Sequence, residues 1–92
     1  MEVDGCALAG DTVIVGEAKW QTKNISPDDA RTFIKKMELI KDNLKKKKVI
    51  GFFISKSEIS SAAQNIFKDN VICLDLDNLG YVLDNLFKQT IS

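Results

Sequence analysis

Histidine is absent from this 92-residue sequence, which also has only two cysteines and one proline. Without histidine, Ser-His-Asp and Cys-His catalysis and the usual zinc sites are excluded. Cys6 and Cys73 lie in apolar, strand-like runs, so we expect two reduced, buried thiols rather than one disulfide. The chemistry that remains available is that of carboxylates, lysines and bound metal ions.

The sequence also has no excess of charge of either sign and no long apolar run. Thirteen basic residues balance thirteen acidic ones, so any surface for nucleic acid must be local. No apolar run approaches the roughly 20 residues that span a bilayer, so we expect no membrane partner. The N-terminus has no basic region followed by an apolar core, and we expect a cytoplasmic protein. Ordinary globular composition predicts a single domain over residues 1–92.

The hydrophobic pattern predicts an α/β domain with a mixed central sheet. Seven elements follow in the order ββαβαβα: strands 3–9, 12–20, 48–55 and 71–76, and helices 27–44, 57–68 and 77–87. Ser26 and Pro27 are typical of the first turn of a helix. The continuous apolar run at 48–55 indicates a central strand buried on both faces. Helical crossovers place neighbouring strands in parallel.

Three charged residues of the first two strands are predicted to meet. If Gly10 and Asp11 form a two-residue loop, Asp4 lies directly opposite Glu17, and paired side chains point to one face. Lys19 follows Glu17 by two residues and shares that face. Two carboxylates at ~4 Å repel by about 4 kcal/mol at an effective dielectric near 20. Lys19 offsets part of this, and a divalent cation such as Mg²⁺ or Mn²⁺ would offset the rest.

Asp4 followed by Glu17-Ala18-Lys19 resembles the PD-(D/E)xK nuclease superfamily, over roughly Glu2 to Ser55. The pattern is most similar to the nuclease-like C-terminal domain of archaeal ATPases and to Mrr-type and Holliday-junction-resolving relatives. The resemblance implies a restriction-endonuclease-like three-layer core. It implies that Asp4, Glu17 and the Ala18 carbonyl bind Mg²⁺ or Mn²⁺, and that Lys19 assists the attacking water.

Residues beyond the motif are candidate DNA contacts. Gln21 follows Lys19 by two residues and would share its face of the strand. Members of the superfamily that the motif resembles often have a polar residue near this position. Lys23 lies just beyond the motif strand, where a phosphate would be close. The basic run Lys45–Lys48 is either a further phosphate contact or a solvated helix end.

The sequence departs from the family before the motif. The family's first helix and first strand have no counterpart ahead of Asp4, and Val3 replaces the proline of the family name. Glu2 is a candidate substitute for the acid that the helix often supplies. We therefore expect a domain truncated at its N-terminus, completed by a missing segment or by a homodimer.

Three functions are compatible with these residues. The first is Mg²⁺-dependent hydrolysis of DNA phosphodiester bonds, with Asp4, Glu17 and Lys19 as catalytic residues. The second is an inactive nuclease-fold module for binding or dimerisation, such as the C-terminal domain of an ATPase. The third is a plain α/β interaction domain without metal, in which the charged hairpin is merely solvated.

Overall fold

A computed structural model of the chain describes residues 2–67, 69–75 and 85. The elements are β1 (Glu2–Ala9), β2 (Thr12–Lys19), α1 (Pro27–Asn43), β3 (Lys48–Ser55), α2 (Ser61–Ile66) and β4 (Val71–Leu74). Their order, ββαβαβ, agrees with the predicted order. The helix predicted over 77–87 lies outside the described residues. Neither described helix is long and apolar enough to cross a membrane.

The hairpin of β1 and β2 has the predicted register. Gly10 adopts a φ of 59°, a left-handed conformation that glycine reaches without steric cost. Ala9 pairs with Thr12 across this turn, and Asp4 therefore pairs with Glu17. The turn thus sets which side chains of the two strands share a face.

The four strands form one mixed sheet in the order β1-β2-β3-β4. β1 and β2 are antiparallel, whereas β2–β3 and β3–β4 are parallel pairs joined by α1 and α2. This confirms the α/β class and the mixed sheet. β2 and β3 are the central strands.

α1 begins at the predicted capping sequence. The Ser26 hydroxyl accepts a hydrogen bond from the Asp29 backbone N–H at 3.2 Å, and the Ser26 N–H donates to Asp29 Oδ2 at 2.9 Å. Pro27 occupies the first helical turn, where a missing N–H costs nothing. These bonds satisfy two donors at the start of the helix and fix where α1 begins.

α2 is shorter than its pattern predicts. It begins at Ser61 rather than Ser57, because Ile59 first forms an isolated parallel bridge with Ile25 and Ser60 then caps the helix. Ile59 and Ala63 are buried as expected, but Ala62 is exposed. A short extended segment therefore replaces the first predicted turn.

The core lies between the sheet and the two helices. Phe33 of α1, Phe53 of β3 and Phe67 after α2 pack edge-on or tilted, with ring centroids 5.2 to 6.1 Å apart. The other buried apolar residues are Val13, Val15, Ile25, Ala30, Met37, Val49, Ile59 and Ala63. Both helices thus cover the same face of the sheet.

The opposite face of the sheet remains partly open in the described part of the chain. Ile50, Phe52 and Ile72 point there and are 37%, 36% and 45% exposed. Among the described residues, the apolar run of β3 is therefore covered on one face, whereas the prediction was a strand buried on both. The described residues form two layers, one of strands and one of helices.

Both cysteines are free, as predicted, but they are not both buried. Cys6 is exposed on β1, which is an edge strand of the described sheet, and Cys73 is half-buried. Burial raises the pKa of the Cys73 thiol above its ordinary value.

Candidate metal site on the β1–β2 hairpin

The carboxylates of Asp4 and Glu17 meet on the face of the sheet that α1 covers. They occupy paired positions of β1 and β2, and one ammonium group, that of Lys36, binds both. Lys36 Nζ donates to Asp4 Oδ2 at 3.1 Å and to Glu17 Oε1 at 2.5 Å. Glu17 is buried, with a side chain 3% exposed, whereas the Asp4 side chain is 49% exposed. The cluster therefore has one buried acid and one acid open to solvent.

Lys36 is the residue of this cluster that the sequence analysis missed. Burial lowers the pKa of its ammonium, but hydrogen bonds and charge attraction from Glu17 and Asp4 raise it to about 12. Lys36 therefore stays charged at neutral pH. It follows Phe33 by three residues on α1, and residues at that spacing share a helix face. Its position next to the apolar stripe of α1 is the feature of the sequence from which a side chain directed at the sheet could have been predicted.

Lys19 lies on the predicted face and is tied to α1. Its Nζ donates to Asp29 Oδ1 at 3.3 Å, and both side chains are largely buried. Burial raises the pKa of Asp29, but hydrogen bonds from Ser26 and Lys19 outweigh it and hold the pKa below its ordinary value. The sequence predicted that Lys19 would offset part of the repulsion between the two acids, whereas the ammonium bound to both carboxylates is that of Lys36.

The remaining predicted site residues follow the motif strand. Ala18 lies between Glu17 and Lys19, so its side chain is on the opposite face and only its carbonyl could serve a metal. Gln21 Nε2 donates to the Lys23 carbonyl at 3.0 Å. The same carbonyl accepts from Ser57 Oγ at 2.8 Å, which fixes the backbone of this loop. The Lys23 side chain is exposed.

Glu2, the candidate substitute acid, pairs through its backbone with Lys19 at the open end of the hairpin. Glu2 and Asp4 are therefore two residues apart in the same strand, as the sequence predicted.

The basic run Lys45–Lys48 lies at the other end of the sheet. Lys46 Nζ donates to the Gly10 carbonyl at 2.8 Å, and Lys47 Nζ lies 4.0 Å from Asp11 Oδ2. Both partners belong to the hairpin turn, and Asp11 precedes Glu17 by six residues, about 20 Å along an extended strand at ~3.3 Å per residue. This run connects the end of α1 to the first residue of β3, lies against the hairpin turn and does not adjoin the acid pair.

The acid pair can hold a divalent cation only with help from other ligands. Two carboxylate oxygens within hydrogen-bond distance of one nitrogen are close enough to bind one ion. Mg²⁺ commonly uses one or two protein carboxylates and keeps several waters, so two acids fit its chemistry. The described residues contain no group of three or more His, Cys, Asp or Glu side chains that could hold a metal. Any such ion would therefore be bound mainly through water.

Comparison of the chain with models of protein families, with curated proteins and with solved structures finds no match in any of the three.

Proposed function

We propose that this chain is a PD-(D/E)xK-type domain of restriction-endonuclease-like fold that binds Mg²⁺ or Mn²⁺ and hydrolyses phosphodiester bonds of DNA in the cytoplasm. The observation that carries the proposal is the pairing of Asp4 with Glu17. A slip of one residue in the hairpin would have placed the two acids on opposite faces. Instead, both are bound by one cationic group.

Each residue of the motif has a role that fits its surroundings. Asp4 and Glu17 would hold the cation, together with the carbonyl of Ala18. A bound divalent ion would supply a water of lowered pKa and neutralise charge on a phosphoryl oxygen. Lys19 is charged and held in place by Asp29, so it can orient the water or stabilise the developing negative charge.

DNA would approach from the solvent side of Asp4, the exposed member of the pair. Lys23 is exposed just past the motif strand, on a loop whose backbone is fixed by Gln21 and Ser57. A lysine on an ordered loop can bind a backbone phosphate without reading the sequence. We propose that Lys23, with Gln21, makes this contact.

A cleavage assay tests this function. Supercoiled and branched DNA are incubated with the protein and Mg²⁺ or Mn²⁺, beside the variants Asp4→Asn and Lys19→Ala. Asp11→Asn and Lys47→Ala are the matched controls, because these residues form an exposed ion pair at the far end of the hairpin. We expect metal-dependent cutting by the wild type and both controls, and loss of cutting in the two motif variants. If all the proteins cut DNA equally, or if none of them cuts it, a nuclease activity that depends on Asp4 and Lys19 is excluded.

Two observations favour a second candidate, a nuclease-fold module without catalysis that binds a partner or dimerises, as in the C-terminal domain of an ATPase. Lys36 already binds both carboxylates and offsets one of their two negative charges, so the acid pair has a counter-charge without a metal. The open apolar face around Phe52 offers a surface for association. A stable homodimer in sedimentation analysis, together with no cleavage, would support this alternative.

A further inference from the structure

The ammonium of Lys36 lies where a cation shared by Asp4 and Glu17 would lie. One nitrogen reaches both carboxylates, at 3.1 Å and 2.5 Å. Charge-assisted hydrogen bonds of this kind are stronger than neutral ones and strongest where solvent is excluded, as it is at Glu17. An ion that binds both acids therefore has to take the place of an existing positive charge.

We propose that Lys36 is a tethered counter-cation that regulates metal occupancy of this site, an inference that rests on the proposed function. In the metal-free protein, Lys36 offsets one of the two negative charges and occupies the position between the carboxylates. Lys36 must leave the two carboxylates before a divalent cation binds both of them. Metal affinity is thus set by a competition between an ion in solution and a side chain of α1.

The position of Lys36 makes this exchange feasible. Its side chain is 29% exposed and projects from a helix rather than from the strands that carry the acids. It can therefore rotate toward solvent without disturbing the hairpin register. Asp4, the more exposed partner, is the acid at which the exchange would begin.

The consequence is that the site binds its metal ion with lower affinity than the two acids would have without Lys36. Lys36 stabilises the metal-free form, and whatever stabilises that form lowers the affinity for the ion. After displacement, the ammonium remains beside the site on α1 and is available to a phosphate oxygen. Lys36 would then favour binding of the ion and of a phosphate together over binding of the ion alone.

Titration with Mn²⁺ alone, with free Mn²⁺ followed by electron paramagnetic resonance, tests the competition without an activity assay. The variants are Lys36→Met, which removes the charge, and Lys36→Arg, which keeps it. Lys35→Met is the matched control, because Lys35 is the neighbouring, exposed lysine of the same helix. We expect the Kd of Lys36→Met to fall by about tenfold or more, since a charged hydrogen bond to a buried acid is removed. Wild type, Lys36→Arg and Lys35→Met should bind with similar affinity.

Thermal unfolding of the same proteins with and without Mn²⁺ gives a second measurement. Lys36→Met should melt below wild type without metal and gain more from added Mn²⁺, because only the folded form binds the ion. Asp4→Asn should remove the gain. If Lys36→Met is too unstable to purify, Lys36→Gln replaces it, since it also removes the charge.

The outcomes separate this inference from the proposed function. Equal Mn²⁺ affinity of wild type and Lys36→Met, with loss of binding in Asp4→Asn, overturns the role of Lys36 but leaves the metal site intact. Absence of Mn²⁺ binding in every variant, Lys36→Met included, overturns the metal site and this inference together. Binding that tightens only when the charge at position 36 is removed supports both.

Discussion

The hydrogen bonds of Lys36 to Glu17 and to Asp4 have acceptors that differ in burial, and this difference predicts unequal contributions to stability. One acceptor, Glu17, is almost fully buried, and the other, Asp4, is half exposed. Exposed ion pairs contribute about 0–1 kcal/mol. Removing one partner of a fully buried pair costs about 3–5 kcal/mol, because the remaining charge is left without compensation. Lys36 itself is partly exposed, so we expect Lys36→Met to lower the free energy of unfolding by about 2–3 kcal/mol.

Double-mutant cycles separate the two bonds. The coupling energy should be about 2 kcal/mol for Lys36→Met with Glu17→Gln and below about 1 kcal/mol for Lys36→Met with Asp4→Asn. Urea unfolding followed by the fluorescence of Trp20, the single tryptophan, measures each variant.

The exposed pair formed by Glu38 and Lys41 on the same helix serves as the control cycle. It should show a coupling of about 0.3–0.5 kcal/mol, the value for helix pairs in solvent. Equal couplings of Lys36 to both acids, or a Lys36→Met variant as stable as wild type, would refute the assignment of the buried bond as the stronger one.

Three further predictions concern the scaffold that holds the site. A Cβ at Gly51 would lie 2.6 Å from a methionine sulfur and 2.8 Å from a phenylalanine ring carbon, so Gly51→Ala should cost about 1–3 kcal/mol in urea unfolding. Gly16→Ala, on the open face with no atom nearer than 3.9 Å, should not reduce stability, and equal losses at both positions would contradict the packing. Ser26→Ala should lower the free energy of unfolding by about 1 kcal/mol because the cap of α1 is lost. Ser61 is not the cap of α2, so Ser61→Ala should leave thermal unfolding nearly unchanged. The pKa of Asp29 is lowered by folding, so its contribution to stability is present above its ordinary pKa of 3.8 and is lost as pH falls through the lower folded value. Acid unfolding should therefore be less steep in Asp29→Asn, and an unchanged acid profile would argue against the stabilisation of the Asp29 carboxylate by the bonds from Ser26 and Lys19.

Local patterns were sufficient for the hairpin and for the start of α1. The residues Gly10 and Asp11 specify a tight turn, and a two-residue turn determines every pair along the two strands. Ser26 and Asp29 specify the cap through bonds between residues three apart. Such features depend on neighbours in the chain, so the meeting of Asp4 with Glu17 was predictable.

Side-chain partners across elements were not predictable in the same way. The predicted face of the sheet was correct for Lys19, but its partner, Asp29, was brought to it by the docking of α1 on the sheet. The same docking brought Lys36 to Glu17, 19 residues away along the chain, and to Asp4, 32 residues away. The apolar run of β3 suggested two buried faces, yet α1 and α2 cover the same face of the described sheet.

The amino-acid sequence by itself determined the alternation of strands and helices, the hairpin register and the shared face of the two acids, because these follow from turn geometry and from side-chain period. Only the tertiary structure decided which ammonium group binds both of those acids. That choice depends on the rotation and height of α1 over the sheet, which are set by the packing of Phe33 against Phe53 and Phe67. Packing of a helix on a sheet is a property of the whole core, and no short stretch of sequence encodes it.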